Sequence, residues 1–194
     1  MKRNLIRFII LFFSTIFFSV SAYAAETMTL DPNHTYILWH IKHFGFSTQA
    51  GKWYATGTLV IDKDKLQNSK VNTTIQVADV VTGLPELDKH LKGKLFFNTE
   101  QYPTATFVSG KVDVTGKTTS KVHGMLTLHG VSKPVVLDVS LNQVGKNPIT
   151  DKMTAGFSAK TKIKRSDFGI NTLLPGLSDE VNLEIQAEAY KADA

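Results

Sequence analysis

The chain has 194 residues, no cysteine, 42% hydrophobic residues and a formal net charge of +5. Lys2, Arg3 and Arg7 fall in the first 24 residues, which hold no acid, so the remainder carries only +2. That balance excludes a nucleic-acid footprint, and the missing thiols exclude disulfides, thiolate metal sites and a cysteine nucleophile.

The chain opens with a basic start, an apolar run from Phe8 to Phe18 broken only by Ser14 and Thr15, and the small-x-small signal Ala22-Tyr23-Ala24. This pattern predicts a secretory signal peptide over 1–24, cut after Ala24, and a single domain over 25–194. An uncleaved anchor is the competing reading, but the apolar run is short of the roughly 20 residues that span a bilayer.

Beyond the leader, apolar and polar residues alternate with period two. The alternation predicts strands near 36–41, 53–62 and 71–78, the last with Val71, Thr73, Ile75 and Val77 on one face. A helix is predicted over 85–92: Pro85 opens it, Glu86 and Asp88 fall early, Lys89 and Lys92 fall late, and Gly93 ends it. Further strands are predicted near 104–115, 122–129, 135–142, 153–164 and 181–190, with a bulge at Gly110. Gly116, His129 to Pro134 and Gly145 to Pro148 read as turns.

Each strand has one dry face, and a single short helix cannot cover them all. Such a sheet buries itself by closing into a barrel or folding into a sandwich. Eight strands enclose room for side chains or for one ligand. Met153, Ala155, Phe157 and Ala159 share a dry face, and Ala187 and Ala189 end another; small residues there leave space, although alternating small and large residues also fill a taper.

Motifs for catalysis are missing. His40 and His43 are three apart, which on a strand sends them to opposite faces, and no third metal ligand stands at a recognisable spacing. Asp88 and His90 are two apart on the predicted helix and do not face each other. There is no Gly-x-Ser-x-Gly and no phosphate-cradling glycine loop. The conspicuous clusters are apolar: Phe44 and Phe46, Phe96 and Phe97, Phe168, and Leu173, Leu174 and Leu177 around Pro175. Together they fit the mouth of an apolar cavity.

Four segments carry a resemblance: "IKHFGFS" (41–47), "ELDKHLKGKLFFNTEQYPTATF" (86–107), "VHGMLTLHGVSKPVVLDV" (122–139) and "IKRSDFGINT" (163–172). In order and spacing the chain resembles the YceI-like polyisoprenoid-binding proteins over nearly its whole mature length. The resemblance implies an all-β fold: an extended eight-stranded antiparallel barrel, lipocalin-like in shape, with one short helix. It also implies a tunnel for a polyisoprenoid or similar long lipid, no enzymatic activity, no cofactor and a periplasmic location. A fully secreted protein is the alternative location. Transient membrane contact and a homodimer belong to the same expectation.

On this reading Phe44, Phe46, Phe96, Phe97, Leu126, Phe157, Phe168, Leu183 and Ile185 are candidate tail contacts. His43, His90, Lys164 and Arg165 are candidates for an acidic head group. One of the adjacent rings Phe96 and Phe97 is expected in the cavity and the other under the helix beside Leu87 or Leu91. Two other readings stay open: a structural or stress protein with a filled barrel, and an enzyme acting on a lipid.

Overall fold

The computed structural model describes residues 25–192; the signal peptide expected over 1–24 lies outside the described residues. The described chain forms β1 (Glu26–Leu30), β2 (Tyr36–His43), β3 (Ser47–Ile61), β4 (Lys70–Gln76), helix α1 (Pro85–Lys92), β5 (Thr104–Val114), β6 (Thr119–Leu128), β7 (Val131–Lys146), β8 (Met153–Lys164) and β9 (Leu177–Tyr190). All strand pairings are antiparallel. The order β3-β2-β9-β8-β7-β6-β5-β4 closes on itself through β4–β3 pairing, so the sheet is a barrel and not a sandwich.

The sequence pattern misses β1, yet the ring still has eight positions. β1 pairs with β3 from Glu26–Ile61 to Thr29–Thr58, and with β9 at Thr29–Tyr190 and Leu30–Ala189. β2 pairs with the same two strands further along, from Tyr36–Tyr54 and Tyr36–Gln186. β1 and β2 are therefore one stave, interrupted at 31–35. Pro32 lacks the N–H that a strand paired on both sides needs. Thr35, 2% exposed, bridges the break. Its hydroxyl donates to the Glu188 carbonyl at 3.2 Å, and its own carbonyl accepts from the Ala55 N–H at 3.1 Å. Beside it, the Asp31 N–H donates to the Glu188 carbonyl at 2.8 Å.

Strand boundaries differ from expectation where one residue overrides the alternation. β3 begins at Ser47 rather than near 53, through a polar stretch that holds Gly51. A Cβ at position 51 would come within 2.1 Å of the Trp39 ring, so the glycine lets the indole lie on the backbone of the next strand. The turn read over His129 to Pro134 shrinks to two residues. His129 and Gly130 both take positive φ (53° and 75°), as a tight hairpin requires. β7 then starts at Val131 and carries Pro134 inside it. That proline pairs with Met125 of β6 and precedes the β7–β8 ladder, which starts at Asp138–Lys160, so no second strand asks for its N–H. β4 stops at Gln76, and Val77–Asp79 is a 3-10 turn. The bulge at Gly110 is present as a register shift between Ser109 and Lys111.

α1 spans the predicted residues and buries Leu91. Asp88 ties down the preceding loop: its Oδ1 accepts from the Thr82 N–H at 2.8 Å and the Thr82 hydroxyl at 2.6 Å. Asp88 thus has a structural partner, and His90 is not it. Beyond the helix, Leu95 to Asn98 fold back under it, the Phe97 N–H donating to the Leu91 carbonyl at 3.0 Å.

Candidate functional site: a two-compartment tunnel

The dry faces of the staves do not meet across the barrel. They leave two apolar compartments, of about 520 Å³ and about 430 Å³. Each falls in the range of small-molecule sites. Trp53, Leu128, Ile163 and Leu183 belong to the walls of both, so the two compartments adjoin at these side chains and follow one another along the barrel. Met153, Ala155, Phe157, Ala159 and Ala187 all line the larger compartment. Ala159 and Ala187 therefore open space, which counts against the filled-barrel reading, whereas Ala189 lines no compartment and packs with Ala155 against Met28 and Leu30.

The larger compartment reaches the end of the barrel formed by the β3–β4, β5–β6 and β7–β8 connections. Lys63, Lys70 and Lys117 stand at this mouth with Glu26. Lys63 is engaged by Glu26 at 2.6 Å, which also meets Lys191 at 3.1 Å. Hydrogen bonds from these two lysines hold the Glu26 carboxyl below its ordinary range. Deeper in, the wall is apolar apart from groups such as Ser109, whose Oγ accepts the Val71 N–H at 2.9 Å.

The smaller compartment lies under α1. Leu87 and Leu91 of the helix, Phe96 and Phe97 of the fold-back, and Trp39 and Trp53 of β2 and β3 enclose it. Phe97 stands edge-on to both tryptophans, with centroids 5.1 Å from Trp53 and 6.4 Å from Trp39. Phe96 is buried against His90 of the helix at 5.0 Å. The adjacent rings thus both reach the compartment wall, one leaning on the tryptophans and one tucked beneath α1.

Other candidates are placed differently. Leu126, Phe157, Leu183 and Ile185 line the larger compartment. Phe44 and Phe46 line neither: they sit in the β2–β3 turn, Phe46 is 90% exposed, and the Phe44 ring covers Gly176. Extended spacing would put both rings on one dry face. Phe44 instead takes a left-handed φ of 49° in a tight turn that reverses the chain. Phe168 is 1% exposed in the packed core and touches neither compartment. Its carbonyl accepts from His129 Nδ1 at 3.0 Å, and the Tyr102 ring lies 4.7 Å from that imidazole. Three segments far apart in sequence thereby lock together outside the tunnel.

Among the head-group candidates, His43 and His90 reach the wall of the smaller compartment, whereas Lys164 is exposed and lines neither. Arg165 reaches that wall but is 5% exposed and otherwise committed. Its Nε donates to the Ser178 carbonyl at 2.9 Å and Nη2 to Leu177 at 3.0 Å. Nη1 donates to Ile170 at 3.0 Å and Thr172 at 2.8 Å. Four of its five donors hold the loop before β9 and the first two residues of that strand, so it is an anchor for this segment and not a free cation. Burial pushes its pKa down against the pull of Asp179. Burial raises the Asp179 carboxyl, but hydrogen bonds from the Ser166 N–H and hydroxyl, with Lys164 and Arg165 nearby, outweigh it and hold the acid below its ordinary range.

One donor cluster lies outside the tunnel. Asp31, His34 and Glu188 bring their ligand atoms within 4.8 Å of one another at the β1–β2 break. Asp31 already holds His34 at 2.8 Å and accepts the Asn33 N–H at 2.9 Å, which makes the group part of the break's own clasp. Sequence reasoning did not single out Trp39 and Trp53. The signal was available: Ile37, Trp39 and Ile41 continue one face of β2, and the chain has only two tryptophans.

The comparisons agree with this architecture. The YceI-like domain matches residues 28–189. Protein YceI of Salmonella agona (strain SL483) is 40% identical over 193 residues, covering 98% of this chain and 99% of its own. The crystal structure of Burkholderia cenocepacia BcnA superposes with a TM-score of 0.74 at 25% identity, over 82% of this chain and 98% of BcnA. A polyisoprenoid binding domain from Saccharophagus degradans shares the fold at 14% identity, with a TM-score of 0.66 over 87% of this chain and all of that one. A closed antiparallel barrel with one capping helix, an apolar tunnel and a family match over nearly all the described residues lead to one conclusion: the chain belongs to the YceI-like family.

Proposed function

We propose that this protein binds a long-chain apolar lipid, a polyisoprenoid or its phosphate, in the barrel tunnel, and serves as a periplasmic carrier or store. The observation that carries the reading is the tunnel itself: two adjoining apolar compartments, of about 520 and 430 Å³, in a barrel that a filled core would have closed. Each buried methylene of a ligand contributes about 0.8 kcal/mol, so a long tail needs few specific contacts. Leu126, Phe157, Leu183 and Ile185 hold one stretch of the tail, and Phe96 and Phe97 hold another. A phosphate would stay at the α1 end, outside the apolar wall, where His43 and His90 reach the smaller compartment. Membership of the YceI-like family, and the binding named for the Saccharophagus degradans domain, support a binding protein over an enzyme. The signal peptide expected over 1–24 supports export.

Loading takes place at the α1 end, through brief contact with a bilayer. Phe46, Leu95 and Leu173 are 90, 64 and 52% exposed there, and Lys42, Lys92 and Lys94 are exposed around them. That combination suits an anionic lipid surface. Native mass spectrometry of protein purified without detergent, followed by lipid extraction, tests the function. A bound series differing by isoprene units is expected. A protein that stays empty when offered polyprenyl lipids would overturn the reading.

A further inference from the structure

The segment 82–102, which holds α1 and its fold-back, covers the smaller compartment with Leu87, Leu91, Phe96 and Phe97. Its two ends are pinned to the barrel. Val81 and Lys52 of β3 exchange backbone hydrogen bonds at 2.8 and 3.0 Å, and the Ala78 N–H donates to the Pro103 carbonyl at 2.9 Å. Between those pins the segment bonds to itself: Thr82 to Asp88, Phe97 to Leu91, Asn98 to Gly93 and Thr99 to Lys92. Among the described residues, a single hydrogen bond crosses from it to the rest of the protein, from the Thr172 hydroxyl to the Leu95 carbonyl. Thr172 is a firm post, because its own carbonyl accepts from Arg165 Nη1 at 2.8 Å. Apolar and ring packing supplies the remaining hold: Leu91 and Phe96 are buried, and Phe97 lies against Trp39 and Trp53.

We infer that segment 82–102 is a lid, latched by Thr172, and that an anionic bilayer surface opens it. This rests on the carrier reading with loading at the α1 end, and adds the gate. In water, lifting the lid would expose Leu91, Phe96 and Phe97, so the hydrophobic effect keeps it shut. Against acyl chains that penalty largely disappears, because lipid tails are as apolar as the wall. The latch is then what holds. Leu95 belongs to the lid and Leu173 to the loop that carries the post, and they are 64 and 52% exposed. Lipid that inserts between these two side chains parts the latch. Phe46, 90% exposed at the same end, adds a further apolar anchor. Lys42, Lys92 and Lys94, all exposed, draw this end to anionic head groups. The lid is thus shut in solution and opens where lipid is at hand.

The test loads the purified protein with the uncharged fluorophore phenylnaphthylamine and follows its loss by stopped flow, into vesicles or into cyclodextrin. Wild type is expected to transfer at a rate that rises with the concentration of phosphatidylglycerol-rich vesicles and barely responds to phosphatidylcholine vesicles. Thr172→Val keeps the shape and removes the donor. Its release into cyclodextrin is expected to be roughly three- to tenfold faster, the worth of a net hydrogen bond, and Thr172→Ser should restore the wild-type rate. Leu95→Ser keeps the latch carbonyl; it should lose the response to vesicle concentration with release into cyclodextrin unchanged. Transfer from wild type that ignores vesicle concentration would overturn opening by the bilayer and leave the carrier standing. An equal response to phosphatidylcholine would overturn the anionic partner. Wild-type release from Thr172→Val, with an unchanged urea midpoint, would overturn the latch. Failure of wild type to take up either phenylnaphthylamine or a polyprenol would take down the carrier reading and this inference with it.

Discussion

Ala159 separates a tunnel from a filled core by the sign of a single measurement. It lies on β8 between Val139 and Ile185, and all three line the larger compartment. In Ala159→Phe the added ring enters a space of about 520 Å³ and meets little resistance. Burial of apolar surface then contributes about 1 kcal/mol or more of added stability, up to a ceiling of about 3 kcal/mol for a fully buried aromatic side chain. A ring that displaces about four methylenes of ligand removes about 3 kcal/mol of binding at ~0.8 kcal/mol each. That is a loss of more than a hundredfold in affinity for a long-chain lipid. Urea denaturation and lipid displacement of a fluorescent probe read the two effects on one variant. Were the barrel packed solid, the same ring would overpack it and cost about 1–3 kcal/mol. Lower stability with unchanged lipid affinity would refute the reasoning.

Three further outcomes follow from the named contacts. Arg165→Lys keeps the charge but cannot reproduce four forked bonds; a loss on the order of 3 kcal/mol in urea denaturation is expected, with proteolysis appearing first within residues 169–178. Glu26, Asp113 and Asp179 all have depressed carboxyl pKa values in the folded state. Their stabilisation is present above the unfolded carboxylate range, near 3.8 for aspartate, and is lost as pH falls through the folded values. His34 runs the other way. Asp31 raises its pKa above 6.5, so its contribution is complete below that pH and lost as pH climbs past the folded value. Denaturation midpoints taken from pH 2 to pH 9 check both signs, with Asp179→Asn flattening the acid limb and His34→Ala the neutral one. Gly51→Ala drives a methyl into the Trp39 ring; a cost of about 1–3 kcal/mol and altered tryptophan emission are expected, and an unchanged spectrum would contradict the packing.

Much of the barrel is legible in period-two alternation, because each stave has one wet and one dry face and most dry faces carry branched or aromatic residues. Ala159 of β8 and Ala187 of β9 even disclose that the centre is open, although Ala189 is packed. Alternation fails where a residue is chosen for its backbone. Gly51 hides the start of β3, and the two-residue turn at His129-Gly130 leaves Pro134 inside a strand that composition would end. The tunnel wall is harder to read, because pairs such as Trp39 and Phe97 are brought together only by the fold-back after α1. Arg165 looks like a ligand for an acidic group in one dimension. In three dimensions the loop before β9 wraps its guanidinium and takes the donors.

The split stave has a mechanical consequence. Among the described residues β1 pairs with β9 only at Thr29 and Leu30, so no ladder is described on that side from Glu26 to Met28. What spans the gap is an ion pair, Glu26 to Lys191 at 3.1 Å. Backbone ladders resist separation cooperatively; a solvated ion pair parts and re-forms at little cost. The start of β1 is therefore the part of the wall that frays first, and fraying stops at the Thr29–Tyr190 and Leu30–Ala189 pairs, where Met28 and Leu30 pack on Ala155 and Ala189. Salt, which screens the ion pair, is expected to loosen that rim and to leave the ladders of the other staves in place.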